Sequence, residues 1–306
     1  MVTIFIMNLS RKAALLLALS VFIAITPISA NSASTEKIMV VKSADLKPYQ
    51  DVLRGLRDEC GCDVQEMKLT REDERDKILE SNPSAIVAIG TAAFKMVRTI
   101  TDLPVIYTMV IPSETAPPLS PNISGVSIDI SPETYLSTMM ALFPKAKRIG
   151  LLYDPRNTGA FVEEAVKAAH AAKIDLVTDQ VRDPSRIPEV LNTLQQKIDI
   201  LWMLPDPTVV GTDIVEYMFQ FSFQNKIPIV SFSKKYVEIG AVASLDIDPY
   251  DMGEQVSSIV NSVLSGQSVR STVYARKSHL TINKKVASKL GLKIDDDLLV
   301  EVNKID

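Results

Sequence analysis

The stretch Ser84-Ala-Ile-Val-Ala-Ile-Gly90, continued by Thr91 and Ala92, shows the unit from which the chain is built. An unbroken apolar run between Ser84 and Gly90 is typical of a strand buried on both faces, as in parallel sheets. The Gly-Thr pair after it predicts a helix that begins at Thr91. A buried strand leading directly into a helix predicts an α/β protein.

The same alternation of strand and helix extends in both directions from this unit. Before and after it, strands are predicted at Lys37–Ser43, Asp63–Leu69 and Pro104–Val110. A segment rich in Pro and Ser, Ile111–Ser124, predicts a surface loop running into a linker. The alternation then restarts, with strands predicted at Lys147–Asp154, Asp175–Val181, Asp199–Leu204 and Ile227–Ser233. Two similar halves predict two Rossmann-like lobes with parallel sheets.

The C-terminal part of the chain is predicted to pass back from lobe two to lobe one and then to lobe two again. Lobe one is predicted to comprise residues 37–123 plus 249–271, and lobe two residues 124–248 plus 272–306. The crossings between them would form a hinge, and they are predicted near Gly125–Asp129, Leu245–Pro249 and Thr272–Leu280.

The N-terminus has the pattern of a secretory signal peptide. Arg11 and Lys12 precede an apolar run, and small residues follow up to Ala30. A membrane anchor is the alternative, but Asn- and Ser-rich sequence follows at once and no later run is long enough to span a bilayer. We therefore expect residues 1–30 to be removed and the mature protein to be exported.

The charge of the mature chain argues against two classes of partner. The 33 Lys and Arg residues fall to 31 when Arg11 and Lys12 are removed, against 37 Asp and Glu residues. The resulting net charge of −6, without basic runs, argues against nucleic acid and anionic membrane as partners.

Cys60-Gly-Cys62 contains the two cysteines of the chain. A bridge across one residue is geometrically demanding, and no second Cys/His pair completes a metal site. The favoured interpretation is that Gly61 ends a helix and that each Cys packs as a small apolar residue. Oxidation of the pair in an exported protein is the alternative. No metal and no cofactor is predicted.

An enzyme is not expected from the sequence. His170 and His279 lie near no candidate nucleophile, and the catalytic and nucleotide-binding motifs with known mechanics are missing. The acidic run Asp295-Asp-Asp297 is typical of a solvated surface segment.

Ligands of such sheets bind at the carboxyl ends of the strands, so the residues that follow each predicted strand are the candidate ligand-binding residues. They are small, polar and mostly neutral: Ser43, Gly90, Thr91, Ala92, Thr108, Asp154, Asn157, Thr158, Asp206, Ser231 and Phe232. Helices predicted to start at Thr91 and Thr158 would offer backbone N–H groups to an anion. Simple helix capping by these threonines is the alternative.

Asp206 is the most distinctive of these candidates because prolines flank it in the run Ile198–Val210. Pro205 and Pro207 fix φ on both sides and remove two backbone donors, so the carboxylate is held stiffly. It either contacts a ligand or ends the strand.

An ordered set of short segments resembles a known family. The segments are Asn122–Val126, Phe143–Pro155, Lys226–Pro228, Gly240-Ala241, Leu280–Asn283 and Leu290-Gly291. Together they resemble the ABC transporter substrate-binding protein family, which has the periplasmic-binding-protein type I fold and whose characterised members bind amino acids, notably aromatic ones. The family's ligand-binding turns fall on Gly90–Ala92, Asp154–Thr158 and Pro205–Val210. Asp154 and Pro207 stand where the family more usually has Asn.

The resemblance implies a monomeric periplasmic receptor that closes over a small ligand and passes it to an ABC permease in the inner membrane. By this resemblance Asp206 would bind a ligand ammonium, and the helix starts at Thr91 and Thr158 a carboxylate. A sensory protein of the same fold, feeding a membrane kinase or chemoreceptor, is the alternative; an exported enzyme is a third.

Overall fold

The computed structural model describes residues 36–69, 74–111, 120–267, 272–295 and 303–305. The predicted signal peptide lies outside the described residues, as do residues 112–119 of the predicted loop and most of the acidic run near the C-terminus. In the part of the chain that is described, no helix combines the length and apolar character needed to cross a membrane.

The first lobe is built on a six-stranded sheet in which every neighbouring pair of strands is parallel. Its strands are β1 (Lys37–Lys42), β2 (Asp63–Lys68), β3 (Ala85–Ile89), β4 (Val105–Thr108), β5 (Ile123–Ile130) and β11 (Thr272–Ala275). The strand order is β11-β5-β4-β3-β1-β2. The helices of this lobe are α1 (Lys47–Glu59), α2 (Arg75–Glu80), α3 (Thr91–Val97) and α9 (Pro249–Leu264).

The second lobe is built on a seven-stranded sheet of order β13-β12-β10-β9-β8-β6-β7. Its strands are β6 (Arg148–Tyr153), β7 (Asp175–Gln180), β8 (Ile200–Trp202), β9 (Ile229–Ser231), β10 (Ala243–Ile247), β12 (Ser278–Asn283) and β13 (Asn303–Ile305). Only the β10–β12 pair is antiparallel among these described strands. Its helices are α4 (Pro132–Leu142), α5 (Pro155–Ala172), α6 (Ile187–Leu194), α7 (Thr212–Asn225), α8 (Lys234–Ile239) and α10 (Lys284–Lys289), with a 3₁₀ turn at Pro184–Arg186.

Strand β3 shows why the sheets are buried on both faces. Val87 and Ile89 pack into one apolar cluster of the first lobe, whereas Ile86 and Ala88 pack into the other. All four side chains are fully buried, because helices cover both faces of the sheet. The prediction of α/β lobes with parallel sheets is confirmed.

Both sheets share one strand order in their parallel part. The order β2-β1-β3-β4-β5 in the first lobe recurs as β7-β6-β8-β9-β10 in the second. The direction of winding reverses between β1 and β3, and between β6 and β8. Ligands of open α/β sheets bind outside the carboxyl ends of the strands at such a reversal.

Two strands lie in a different sheet from the one predicted. Ile123–Ile130, which was expected to be linker and hinge crossing, is a regular strand paired with β4, and Thr272–Ala275 pairs with it. Both segments were expected in lobe two. The alternation of Val126, Ile128 and Ile130 with polar residues explains the strand, since each apolar side chain then faces the core.

Helices α1 and α9 cross at two glycines. A Cβ atom added at Gly55 would lie 2.1 Å from the Tyr250 carbonyl oxygen, and one at Gly253 would lie 2.1 Å from the Val52 carbonyl oxygen. The helix backbones therefore touch directly. This contact joins α9, which follows the second-lobe strand β10 in the chain, firmly to the first lobe.

Of the two alternatives for the cysteines, the structure contains the oxidised pair. Cys60 and Cys62 are joined by a disulfide just after α1. The chain turns at Gly61 and brings the two Cα atoms to 5.2 Å, within the range that a disulfide can bridge.

Candidate functional site

A cavity of about 410 Å³ is lined by residues of both lobes. The first lobe contributes Ile111, the β5 residues Ser127 and Asp129, and Thr272–Tyr274 of β11. The second lobe contributes Pro155–Phe161 and Glu164 of α5, together with Pro205 and Pro207. This volume is of the size that holds a small metabolite. A second cavity, of about 1040 Å³, lies between α4 and α5 at the opposite end of the sheet and contains none of the candidate residues.

Asp206 is fully buried behind this cavity and accepts four hydrogen bonds. One oxygen accepts from Asn157 Nδ2 at 2.9 Å and from the Thr208 backbone N–H at 2.9 Å. The other accepts from the Asp154 backbone N–H at 2.7 Å and from Thr158 Oγ1 at 2.7 Å. These bonds tie the loop after β8 to the turn after β6.

The four bonds revise the role predicted for Asp206. A carboxylate has about four acceptor positions, and all are occupied here. Its burial and its partners leave no position for a ligand ammonium. Asp206 instead orients Asn157 and Thr158, which do line the cavity. The rigidity given by Pro205 and Pro207 serves this internal network.

Asp154 supplies the anion at the start of α5. Its Oδ1 accepts the Arg156 backbone N–H at 3.0 Å, and its carboxylate binds the Arg156 guanidinium, with Nε 2.9 Å from Oδ1. These hydrogen bonds from Arg156, together with one from Thr208 Oγ1, hold the pKa of Asp154 well below its usual range. The N–H groups of Asn157 and Thr158 bond to the Asp154 carbonyl.

The predicted carboxylate site at the start of α5 is therefore filled by the protein itself. The capping residue is Asp154 and not Thr158, whose hydroxyl donates to Asp206 instead. The helix start predicted at Thr158 was therefore three residues too late: α5 begins at Pro155, and Pro is favoured at the first position of a helix.

Strand-tip residues of the first lobe form a second set of contacts. Gly90 has φ of 95°, and a side chain there would meet Ser43 Oγ at 2.6 Å. Ser43 Oγ accepts the Ala93 backbone N–H at 2.8 Å, and Thr91 Oγ1 accepts the Ile111 backbone N–H at 3.1 Å. Ile111 in turn lines the cavity. Ala92 is exposed beside this turn.

Three other candidates do not line the cavity. Thr108 is fully buried, and its hydroxyl has no partner among the described residues. Ser231 is fully buried and donates to the carbonyl oxygens of Ser233 and Ala243. The Phe232 ring packs on Tyr236 at 5.1 Å, and both side chains are partly buried against an apolar cluster of the second lobe.

Sequence reasoning missed much of the cavity lining, including the acidic residues Asp129 and Glu164 and the aromatic residues Phe161 and Tyr274. The Tyr274 hydroxyl donates to Glu164, which joins β11 of the first lobe to α5 of the second. The Phe161 ring meets Tyr274 edge-on at 6.5 Å and Trp202 at 5.7 Å. Burial, followed by the bond to Glu164, raises the pKa of Tyr274.

The fold and this cavity define a class of protein: a two-lobed binding protein that encloses a small ligand between α/β lobes. The chain belongs to the family described as ABC transporter substrate binding protein, which matches residues 70–305. The resemblance found in the sequence is thus confirmed, and so is the prediction that the chain is not an enzyme, because the family consists of substrate-binding proteins.

A relative in Clostridioides difficile strain R20291 is named a tyrosine-binding protein. It is 26% identical to this chain over 209 residues, which are 65% of this chain and 60% of the relative. The match therefore spans less than two thirds of the relative's length.

Solved structures show the same fold. A ligand-free, open substrate-binding protein with adhesive properties from Clostridium difficile has a TM-score of 0.69 at 20% identity, over 89% of this chain and 99% of that one. An ABC domain in complex with L-Trp from Streptococcus pneumonia has a TM-score of 0.56 at 23% identity, over 89% and 100% of the two chains.

Proposed function

We propose that the protein captures an amino acid, or a related amine, between its lobes and delivers it to an ABC permease in the inner membrane. The cavity lined by both lobes carries this proposal, since a ligand held there contacts both and favours their closure. The family match, the tyrosine-binding relative and the L-Trp complex support an amino acid as the ligand.

Closure would turn the two lobes about the three crossings. We place these crossings after β5, between β10 and α9, and between β11 and β12, because each of these segments joins one sheet to the other. Lobe one then gains β5 and β11 relative to the division expected from the sequence. Hinge closure around a ligand is the usual motion of such two-lobed proteins.

The third crossing is anchored on its first-lobe side by an ionic cluster. Asp251 of α9 is buried, and its Oδ1 lies 3.0 Å from Lys277 Nζ and 3.2 Å from Arg276 Nε. Burial works to raise the pKa of Asp251, but the hydrogen bonds from Arg276 and Lys277 outweigh it and lower that pKa. The moving part of this crossing would therefore begin after Lys277.

The predicted cleavage after Ala30 would place the mature protein in the periplasm, where it would act as a monomer. Membership of an ABC transporter family supports the permease as its partner. The outer faces of the two closed lobes would form the surface that this permease recognises.

Thermal unfolding against a panel of amino acids, including L-tyrosine and L-tryptophan, tests the proposal. A ligand at 100 times its dissociation constant adds about 2.7 kcal/mol to the free energy of unfolding. We expect at least one amino acid to raise the melting temperature, and deletion of the protein to abolish cellular uptake of that compound. Lack of any shift across the panel would refute amino-acid capture, and unchanged uptake would refute the transport role.

A further inference from the structure

Asp129 is a carboxylate that faces the cavity without a cation. It lies on β5 and lines the cavity opposite α5. Its side chain accepts one hydrogen bond, from Ser127 Oγ at 3.1 Å. Among the described residues, no Lys, Arg or His forms an ion pair with it. Burial raises the pKa of Asp129, as it does for a charge removed from water without a partner.

A second carboxylate stands on the other side of the cavity. Glu164 of α5 accepts a hydrogen bond from the Tyr274 hydroxyl, and the described residues provide it with no cation either. Its negative charge adds to the rise in the pKa of Asp129, which places the two acids within electrostatic reach of each other. Two carboxylates from opposite lobes thus share one cavity.

Arg156, which also lines the cavity, does not neutralise the carboxylates of Asp129 and Glu164. Arg156 is the one cation among the residues that the structure places around the cavity, and its guanidinium is bound to Asp154. Because Asp154 also caps α5, the N-terminus of that helix has no backbone N–H left for a carboxylate. The second-lobe side of the cavity therefore offers a ligand carboxylate no free helix N-terminus.

Aromatic rings complete this environment. Phe161 and Tyr274 both line the cavity, and their rings meet edge-on at 6.5 Å. A ligand ammonium is attracted by the faces of such rings as well as by carboxylates. A partly buried acid beside aromatic rings is the chemistry that recognises a protonated amine.

We infer that Asp129 binds a protonated amine of the ligand, and that the cavity selects its ligand by this amine rather than by a carboxylate. The inference rests on the proposed amino-acid capture and names the group that is recognised. Asp129 is thus a specificity-determining residue, with Glu164 adding to the negative potential from the opposite lobe.

Calorimetric titration with three related probes tests the selection. L-tyrosine has both groups, tyramine lacks the carboxylate, and 3-(4-hydroxyphenyl)propionate lacks the amine. We expect tyramine to bind within about tenfold of L-tyrosine or more tightly, and the amine-free acid to bind at least about tenfold more weakly. Equal binding of L-tyrosine and the amine-free acid would overturn the inference while leaving the receptor function intact. No binding of any of the three probes would overturn the inference, whereas amino-acid capture itself is decided by the thermal-unfolding panel described above.

Two variants test the residue itself. Asp129→Asn keeps an acceptor for Ser127 Oγ but removes the charge, so L-tyrosine should bind at least about tenfold more weakly. The same change should raise the melting temperature of the ligand-free protein by about 1 °C or more, because a partly buried charge that has no cation beside it is gone. Glu163→Gln, an exposed site beside Glu164 that does not line the cavity, is the matched control and should change neither quantity. A ligand-free Asp129→Asn protein that melts lower than the wild type would make Asp129 a structural residue and overturn the inference.

Discussion

Replacing Asp206 by Asn tests whether this residue organises the cavity or binds the ligand. An amide offers one oxygen in place of two, so one pair of the four hydrogen bonds is lost whichever way it is oriented. One orientation loses the bonds from Asn157 and Thr208, and the other those from Asp154 and Thr158. Each choice therefore breaks one hydrogen bond from a backbone N–H and one from a side-chain donor, although Asn157 Nδ2 keeps its bond to Thr208 Oγ1.

The size of the effect follows from these two losses. A hydrogen bond to a charged group contributes about 1.5–3 kcal/mol, so the variant should lose at least about 3 kcal/mol of the free energy of unfolding. In a chain of this length, 1 kcal/mol changes the melting temperature by about 2 °C, so a fall of about 6 °C is expected. Scanning calorimetry of the ligand-free protein measures it.

A matched variant separates this effect from a general loss of charge. Asp213 is an exposed acid in the first turn of α7, so Asp213→Asn should cost less than about 1 kcal/mol. If Asp206→Asn melted within about 2 °C of the wild type but its melting temperature no longer rose on adding the ligand, the carboxylate would bind the ligand directly. The positioning role derived from the four bonds would then be wrong.

Three further predictions concern packing, the disulfide and acid stability. Gly253→Ala should cost at least about 2 kcal/mol in chemical denaturation, because its Cβ would collide with the α1 backbone. Gly211→Ala meets no atom closer than 3.8 Å and should cost about 1 kcal/mol or less, the preference for Gly over Ala at the N-cap of α7. Replacing Cys60 and Cys62 by Ser should cost about 1.6 kcal/mol by the loop-entropy relation for so short a loop, and a loss above about 4 kcal/mol would contradict that account. Asp154 has a lowered pKa in the folded protein, so its contribution to stability is complete above the unfolded-state pKa of about 3.9 and disappears as pH falls towards the folded value. Asp154→Asn should therefore flatten the fall of melting temperature below about pH 4, and an unchanged acid profile would exclude this role.

The α/β fold of the two lobes could be predicted from the sequence, because buried strands are recognised from their own short apolar runs. A run such as Ala85–Ile89 is apolar throughout, which identifies a buried parallel strand without reference to the rest of the chain. Strand β5 was missed because a Pro- and Ser-rich loop precedes it and Gly125 lies within it. Its partner β11 comes from far along the chain, and no local pattern reports such pairing.

Two of the candidate residues predicted from the sequence line the cavity. These are Asn157 and Thr158. The inward orientation of Asp206 could not be predicted, because the partners that hold it, Asn157 and Thr158, lie about 50 positions earlier in the chain. Thr108 and Ser231 are the last residues of β4 and β9, and both side chains are buried in the protein interior. The sequence does not indicate whether the side chain of the last residue of a strand faces the interior or the cavity. Asp129 and Tyr274 were missed because they lie on strands that were not assigned to the first sheet.

The disulfide after α1 has a consequence for how the protein matures. With Cys60 and Cys62 as the two cysteines of the whole chain, just one intramolecular pairing exists. The two thiols are separated by a single residue, so they meet without help from any distant part of the fold. Oxidation therefore needs neither a correct tertiary structure nor an isomerase to repair wrong pairs. The bridge can form as soon as this short segment reaches an oxidising compartment, before either lobe has folded.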